Sequence, residues 1–386
     1  MSVKILFSGM VSWYLNHTAR GFENLGSLEG YWMGNKCPVG IPPSKYKRIW
    51  PYHIAQKAFY HFASPDLEER MRWNNLTFYD AWIRRQTIPS NVNVVQGPMG
   101  SCESLFEIAQ CKDPRILKVF DAPNSHPNTL FEYWQNECNQ YSGGYRIPIP
   151  LKLRERICRE IDSADLILCP SLFVRDSIID NGVSPEKCFV SHFGVDTKVF
   201  TKRLKLPEKP KFICVGSLTV RKGHQYLFQA FHRVKEAEPD AELICVGDIR
   251  PDFHLEIEKW RGTFKHYQGI CHAELAKILS NSSAFVLASV EEGFARVLSE
   301  AMAAGLPILA TYETGATTVV NNGTQGIIFK SRDVDSIFDA IMRMIREPET
   351  NLTMGHAAYT SGAENNTWND YTHRLISEYQ KRLARS

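Results

Sequence analysis

The stretch from Ala284 to Pro307 constrains the fold more than any other part of the chain. Ala284-Phe285-Val286-Leu287-Ala288 is a short continuous apolar run, the pattern of a strand buried on both faces of a parallel sheet. After a glycine turn at Gly293, the residues from Arg296 to Ala304 have helical spacing, closed by Gly305 and Pro307. Strand, turn and helix in succession form the repeating unit of a doubly wound α/β domain. The alternation extends on both sides, with strands predicted at 211–216, 242–247, 264–267, 307–310 and 326–329. Helices are predicted at 223–237, 272–281 and 334–347.

A chain of 386 residues is longer than one core usually supports, which predicts two α/β domains of roughly 180 residues each. The N-terminal half offers strands at 3–8, 92–97, 116–121, 165–169 and 188–192, with helices at Leu151–Ser163 and Leu172–Asn181. Residues 20–90, rich in Trp, Tyr and Pro (Tyr31-Trp32, Pro42-Pro43, Trp50-Pro51-Tyr52), show no regular period and are left unassigned. Thr201 to Pro210 is charged and proline-punctuated and reads as a linker. The expected organisation is a first domain over 1–200, the linker over 201–210, a second domain over 211–366 and a terminal helix over 367–386. That helix carries Trp368, Tyr371, Leu375 and Tyr379 at three- to four-residue spacing.

Forty-five basic residues against forty-two acidic ones give a net charge of +3, too balanced for a nucleic-acid binder. Ten cysteines include no C-x2-C pair, and several sit in apolar runs such as Ile213-Cys214-Val215, which reads as small buried thiols in a reducing, cytosolic setting. The opening Lys4 to Gly9 is too short and broken for a signal peptide and reads as strand one. No run approaches the roughly 20 apolar residues of a spanning helix, so any membrane contact is expected to be peripheral. There is no G-x-G-x-x-G fingerprint, which argues against a nicotinamide or flavin cofactor.

The chemistry concentrates at the turn. Glu292 lies in it and Glu300 about two helical turns further on, which puts the carboxylates on the order of 10 Å apart, wider than the ~5–9.5 Å of a glycosidase pair. Between them the free helix N-terminus suits an anion, and Gly293 would let the backbone approach it. A nucleoside diphosphate sugar fits: Glu292 would hold sugar hydroxyls, the helix start the diphosphate, and Glu300 would accept hydrogen bonds from the ribose. A second concentration is Val215-Gly216-Ser217-Leu218-Thr219-Val220-Arg221-Lys222-Gly223, where two cations stand at a helix start against the dipole and so imply a shared anion. The bland alternatives are helix-terminal and solvated charges. Asp333-Val334-Asp335 has the look of a metal motif but precedes an apolar-periodic helix and reads as N-terminal helix charge.

Glu292 to Glu300, followed by Ala301-Met302-Ala303-Ala304-Gly305-Leu306-Pro307, resembles the E-x7-E signature of retaining family-4 glycosyltransferases. The resemblance implies the GT-B fold, α/β with two Rossmann-like doubly wound domains facing a central cleft. The nucleotide-sugar donor, linked to UDP, GDP or ADP, would lie on the second domain, and a sugar, glycan or lipid-linked acceptor on the first. It implies donor contacts from Gly293, Phe294, Ala295 and Val297, and Lys222 and Arg221 neutralising the diphosphate. The family usually has an arginine where this chain has Ser217, and Arg221 is the candidate to compensate. His126, in a loop after a strand, would face the donor and support an oxocarbenium-like transition state. Gly9 is what remains of the family's glycine-rich loop at Ser8 to Ser12. No metal or other cofactor is expected, and the cytoplasm, with the inner membrane face left open, is the expected location. Three rivals stay open on the same scaffold: a phosphorylase, a nucleotide-sugar hydrolase or epimerase, and a catalytically silent nucleotide-sugar-binding protein.

Overall fold

Two all-parallel sheets organise the chain in the computed structural model, which describes residues 2–10, 13–34, 37–49, 65–145, 147, 149–196, 199–363 and 366–385. The first contains β1 (Ile5–Gly9), β2 (Leu28–Met33), β3 (Tyr46–Arg48), β4 (Val94–Pro98), β5 (Leu117–Asp121), β6 (Leu166–Cys169) and β7 (Cys188–Val190). Their order is β3-β2-β1-β4-β5-β6-β7. The second contains β8 (Lys211–Val215), β9 (Glu242–Val246), β10 (Lys265–Tyr267), β11 (Ala284–Leu287), β12 (Ile308–Thr311) and β13 (Gly326–Phe329), in the order β10-β9-β8-β11-β12-β13. In each sheet the chain winds outward one way, returns to the middle and winds out the other way. That creates a switch point, between β1 and β4 in one sheet and between β8 and β11 in the other, and ligands bind beside such points at the strands' carboxyl ends.

The helices of the first half are α1 (Trp13–Asn24), α2 (Pro65–Ile83), α3 (Glu103–Lys112), α4 (Pro127–Tyr141), α5 (Leu151–Ser163) and α6 (Leu172–Asp180). Those that follow are α7 (His224–Ala237), α8 (His254–Lys259), α9 (His272–Ser280), α10 (Val297–Ala303), α11 (Val334–Arg346), α12 (Pro348–Ala363) and α13 (Trp368–Leu383). Neighbouring strand residues feed opposite faces of the first sheet. Leu6, Val95 and Phe120 join one core, while Ile5, Val94 and Val119 join the other. Both faces are covered, which is why these strands read as unbroken apolar runs.

The second-half strands fall within about a residue of the sequence expectation. The helix expected over Arg296 to Ala304 spans Val297–Ala303, with Arg296 and Ala304 as its caps, a difference of one residue at each end. The unassigned region contains β2, β3 and α2. In β2 Gly30 interrupts the apolar pattern because a Cβ there would stand 2.6 Å from the Leu6 side chain. Trp50-Pro51-Tyr52, together with Val11 and Ser12 after β1, lies outside the described residues.

The two halves exchange side chains. Cys138 of α4 is buried in the core of the second sheet, and Phe294 in a core of the first. The last helix, α13, buries Tyr371, Leu375, Tyr379 and Leu383 with Ile5 and Phe7 of β1. It opens on a capping box in which Thr367 and Asp370 bond each other's backbone N–H. Gly21 of α1 lets it pack closely, since a Cβ there would lie 2.1 Å from the Thr372 hydroxyl. Tyr379 Oη donates to Gln96 Oε1 at 2.7 Å, and Gln96 Nε2 donates to the buried Asp121 at 3.3 Å. Tyr379→Ala removes both ring packing and this donor and is expected to cost about 3–5 kcal/mol, against about 1 kcal/mol for Tyr379→Phe. Urea unfolding of the full chain reads the difference, and equal midpoints for both variants would show that the helix contributes no buried packing.

Candidate functional site

The switch point of the second sheet holds the densest charge in the cleft. After β8 the chain passes Gly216, φ +137°, and Ser217 into a single 3-10 turn, Val220–Lys222, which ends at Gly223, φ +67°. Any side chain at Gly223 would place Cβ 1.9 Å from the Ala288 carbonyl oxygen, so only glycine lets this turn press against the end of β11. Lys222 then folds back over Gly216, where a Cβ would lie 2.4 Å from its Nζ. The ammonium comes to rest 3.2 Å from Glu292 Oε2. Both side chains are mostly buried, with the Ser289 hydroxyl 3.5 Å from the same carboxylate oxygen. Burial alone would raise the Glu292 pKa, but the charges of Lys222 and Arg221 and the hydrogen bonds from Lys222 and Ser289 outweigh it. The carboxyl is held below its ordinary value and is anionic at neutral pH.

One residue back, a second pair repeats the first. Arg221 Nη1 donates to Glu291 Oε2 at 2.7 Å and to the Glu291 carbonyl at 3.1 Å. Its guanidinium lies 5.5 Å from the centre of the Trp134 ring on α4. The Arg221 carbonyl in turn accepts the Val290 N–H at 2.9 Å. Arg221, expected to neutralise a diphosphate, is therefore already neutralised by Glu291. Ser217 itself is half-buried beside Gly216.

The E-x7-E segment departs from expectation in its details. Glu300, on α10, is 8 % exposed. Burial raises its pKa, with the positive charges of Arg296 and His272 opposing, and His272 Nε2 stands 3.9 Å from Oε1. Gly293 is required by a protein neighbour: a Cβ there would lie 1.7 Å from the Pro123 carbonyl oxygen in the loop after β5. The Gly293 carbonyl accepts the Ser171 hydroxyl at 2.6 Å. Phe294, expected at the donor, buries its ring against Phe193 and His192 of the first half, at 6.3 and 5.9 Å between centres. Ala295 is buried with its N–H taken by Thr314, and Val297 packs in the core of the second sheet.

His126 is also placed otherwise than expected. It is the N-cap of α4: its Nδ1 accepts the Asn128 N–H at 3.3 Å, while Nε2 faces the Cys158 thiol at 3.9 Å. It is 5 % exposed, and burial lowers its pKa to about 4. Burial leaves the ring neutral at pH 7, and through the Cys158 contact it faces α5. Gly9 closes β1 where a Cβ would meet the Pro98 ring at 2.7 Å, a packing need within the first sheet. Asp333 caps α11 by accepting the Ser336 N–H at 3.0 Å, and Asp335 pairs with Arg233 at 2.6 Å, so Asp333-Val334-Asp335 belongs to a helix start. Among the described residues no cluster of three metal-ligating side chains occurs, and no helix is long and apolar enough to cross a membrane.

Glu291 and Ser125 were missed. Glu291 is fully buried, and its Oε1 accepts the Ser125 hydroxyl at 2.7 Å from the first half. A signal existed: Arg221-Lys222 and Glu291-Glu292 are dipeptides of opposite charge following β8 and β11, adjacent strands in the second sheet.

Residues 196–361 match the model of glycosyl transferases group 1. The chain is 28 % identical to an MMP alpha-(1->4)-mannosyltransferase of Mycolicibacterium hassiacum, over 96 % of this chain and 94 % of that protein. Other curated relatives, such as D-inositol 3-phosphate glycosyltransferase of Corynebacterium aurimucosum, are spanned over about half their length, 54 % in that case, at 27 % identity and 53 % of this chain. Among solved structures, sucrose-phosphate synthase of Thermosynechococcus elongatus superposes with a TM-score of 0.73 at 15 % identity, over 99 % of this chain and all of that one. This chain is a nucleotide-sugar-dependent glycosyltransferase built on the GT-B fold, and its match to glycosyl transferases group 1, family 4, lies in residues 196–361.

Proposed function

We propose that the enzyme transfers a hexose, with retention of anomeric configuration, from a nucleoside diphosphate sugar to a sugar hydroxyl of an acceptor. The observation that carries this reading is the Lys222–Glu292 pair at the β8–β11 switch point, a mostly buried cation and a mostly buried anion 3.2 Å apart. Nucleotide-sugar dependence makes the pair intelligible: the donor brings a diphosphate for the ammonium and sugar hydroxyls for the carboxylate. Lys222 then stabilises charge growing on the β-phosphate as the bond from sugar C1 to phosphate oxygen breaks. Glu292, held anionic, accepts hydrogen bonds from the sugar and places C1. The acceptor oxygen bonds C1 from the face the phosphate leaves, and its proton passes to a phosphate oxygen of the departing nucleoside diphosphate.

Glu300 is assigned to the ribose. Its raised pKa reflects a buried carboxylate short of partners, and two ribose hydroxyls would supply them. The donors to try first are UDP-glucose and GDP-mannose, with ADP-glucose as a third. The mannosyltransferase relative motivates mannose, and HepE of Anabaena was solved in complex with UDP and glucose. Loops at the carboxyl ends of the first sheet, including Pro123 to Ser125, face the donor residues, and the acceptor is assigned to that side.

Lys222→Ala is expected to lower kcat by about 100- to 1,000-fold, the scale for losing one preorganised charge partner of a transition-state oxyanion. Transfer assays on the three donors check it, and a loss confined to KM would contradict the role. For Glu300, a folded-state pKa raised above the unfolded one adds stability that is present below the unfolded value and disappears as pH rises through the raised one. At pH 7 the ionised carboxylate is therefore a burden on the empty protein. Glu300→Gln should raise its Tm by about 1–3 °C while weakening nucleotide binding about 10- to 100-fold. Thermal melts with and without nucleotide separate the effects, and a variant that gains stability yet binds nucleotide as wild type does would refute the ribose assignment.

A further inference from the structure

We propose that Glu291 is a positioning residue: it ties the acceptor-side loop after β5 to the Lys222–Glu292 pair, so that the donor charges are held in register only when that loop is seated. The inference rests on the donor reading above and concerns residues outside the E-x7-E pattern.

The geometry is a ladder of two rungs. The segments 219–223 and 289–292 run side by side, joined by Val290 and Glu291 N–H groups that donate to the Arg221 carbonyl at 2.9 and 3.4 Å. The outer rung is Arg221–Glu291 and the inner rung Lys222–Glu292. The outer rung alone reaches the first half among the contacts described. Ser125 donates its hydroxyl to Glu291 Oε1 at 2.7 Å and directs its N–H to the same oxygen at 3.4 Å. Trp134 lies over the Arg221 guanidinium and fixes its own ring by donating Nε1 to Asp252 Oδ2 at 2.9 Å. Glu291 thus has one oxygen for each half of the molecule.

Its charge matters as much as its shape. The second anion acting on Arg221 is Glu292, the partner of Lys222. If Glu291 were neutral, Arg221 would turn its unpaired charge toward Glu292 and compete with Lys222 for it. The same competition is weakly favoured when Ser125 withdraws, because Glu291 loses the donors that aim it.

The test uses the full chain with Ser125→Ala, Glu291→Gln and the double variant. Nucleotide affinity is measured by calorimetry with UDP and GDP, and kcat and KM by acceptor-free hydrolysis and transfer of the donor that binds. Each single variant is expected to lower kcat about 10-fold or more while donor KM moves less than about 3-fold, and the double variant to be no slower than Glu291→Gln alone, the signature of two residues acting through one path. Single variants with unchanged kcat overturn the proposal. So do losses that multiply in the double variant, and so does a parallel fall of kcat, affinity and Tm, which would mark a plain packing role. Ser125→Ala keeps the test decisive if Glu291→Gln does not fold. A wild-type chain that neither binds nor consumes any of the three donors refutes the donor reading and this inference with it, whereas an active wild type with indifferent variants refutes Glu291 alone.

Discussion

Two buried ion pairs stacked at one switch point set the terms for the rest of the molecule. Four charges, Arg221, Lys222, Glu291 and Glu292, share a site that water barely reaches, and leaving any one unpaired there costs on the order of 3–5 kcal/mol. Such a site persists only if the backbone around it admits no error. Gly216 and Gly223 meet that need with positive φ, the first beneath the Lys222 ammonium and the second against the end of β11, where the Ala288 carbonyl leaves no room for a Cβ. The sheet supplies the remaining constraint by placing β8 and β11 side by side in parallel, so that the residues following each strand emerge together.

Function follows from the asymmetry between the rungs. The Arg221 guanidinium, planar and permanently charged, is used up by a carboxylate, a carbonyl and an indole face. Lys222, a flexible point charge, has one carboxylate beside it and donors to spare. On the proposed reading the ligand-facing cation is the lysine, and the arginine is part of its support. The first half contributes through close approach: Pro123 sits against Gly293, Ser171 holds its carbonyl, and Phe294 crosses into the first half's core. The helix α4 goes the other way and lends Cys138 to the second core. Donor side and acceptor side are joined across the residues expected to do the chemistry.

Strand-helix alternation and the E-x7-E spacing made the second half legible to within about a residue, because buried parallel strands declare themselves as apolar runs between glycine-marked turns. What the sequence did not show are the long-range contacts of these residues. Gly293, read as room for a ligand, also makes room for Pro123, and Phe294, read as a donor contact, buries its ring in a core of the first half. His126 follows a strand as a ligand-facing histidine would, but a Pro at the next position starts a helix, and its ring caps that helix instead. Glu291 was overlooked because its partners, Arg221 and Ser125, are distant in sequence and one lies in the other half. Residues 20–90 stayed unread because glycine in β2 and short strands give little period to detect.

On the proposed reading the lysine rung opens to the donor while the arginine rung stays shut. A structure of the full chain with a bound nucleoside diphosphate sugar, trapped by a non-transferable analogue, tests it most directly. The expected complex has Lys222 Nζ at about 3 Å from a β-phosphate oxygen, Glu292 bonded to a sugar hydroxyl, and Arg221 still on Glu291. A diphosphate held by Arg221, with Lys222 and Glu292 still paired to each other, would contradict it.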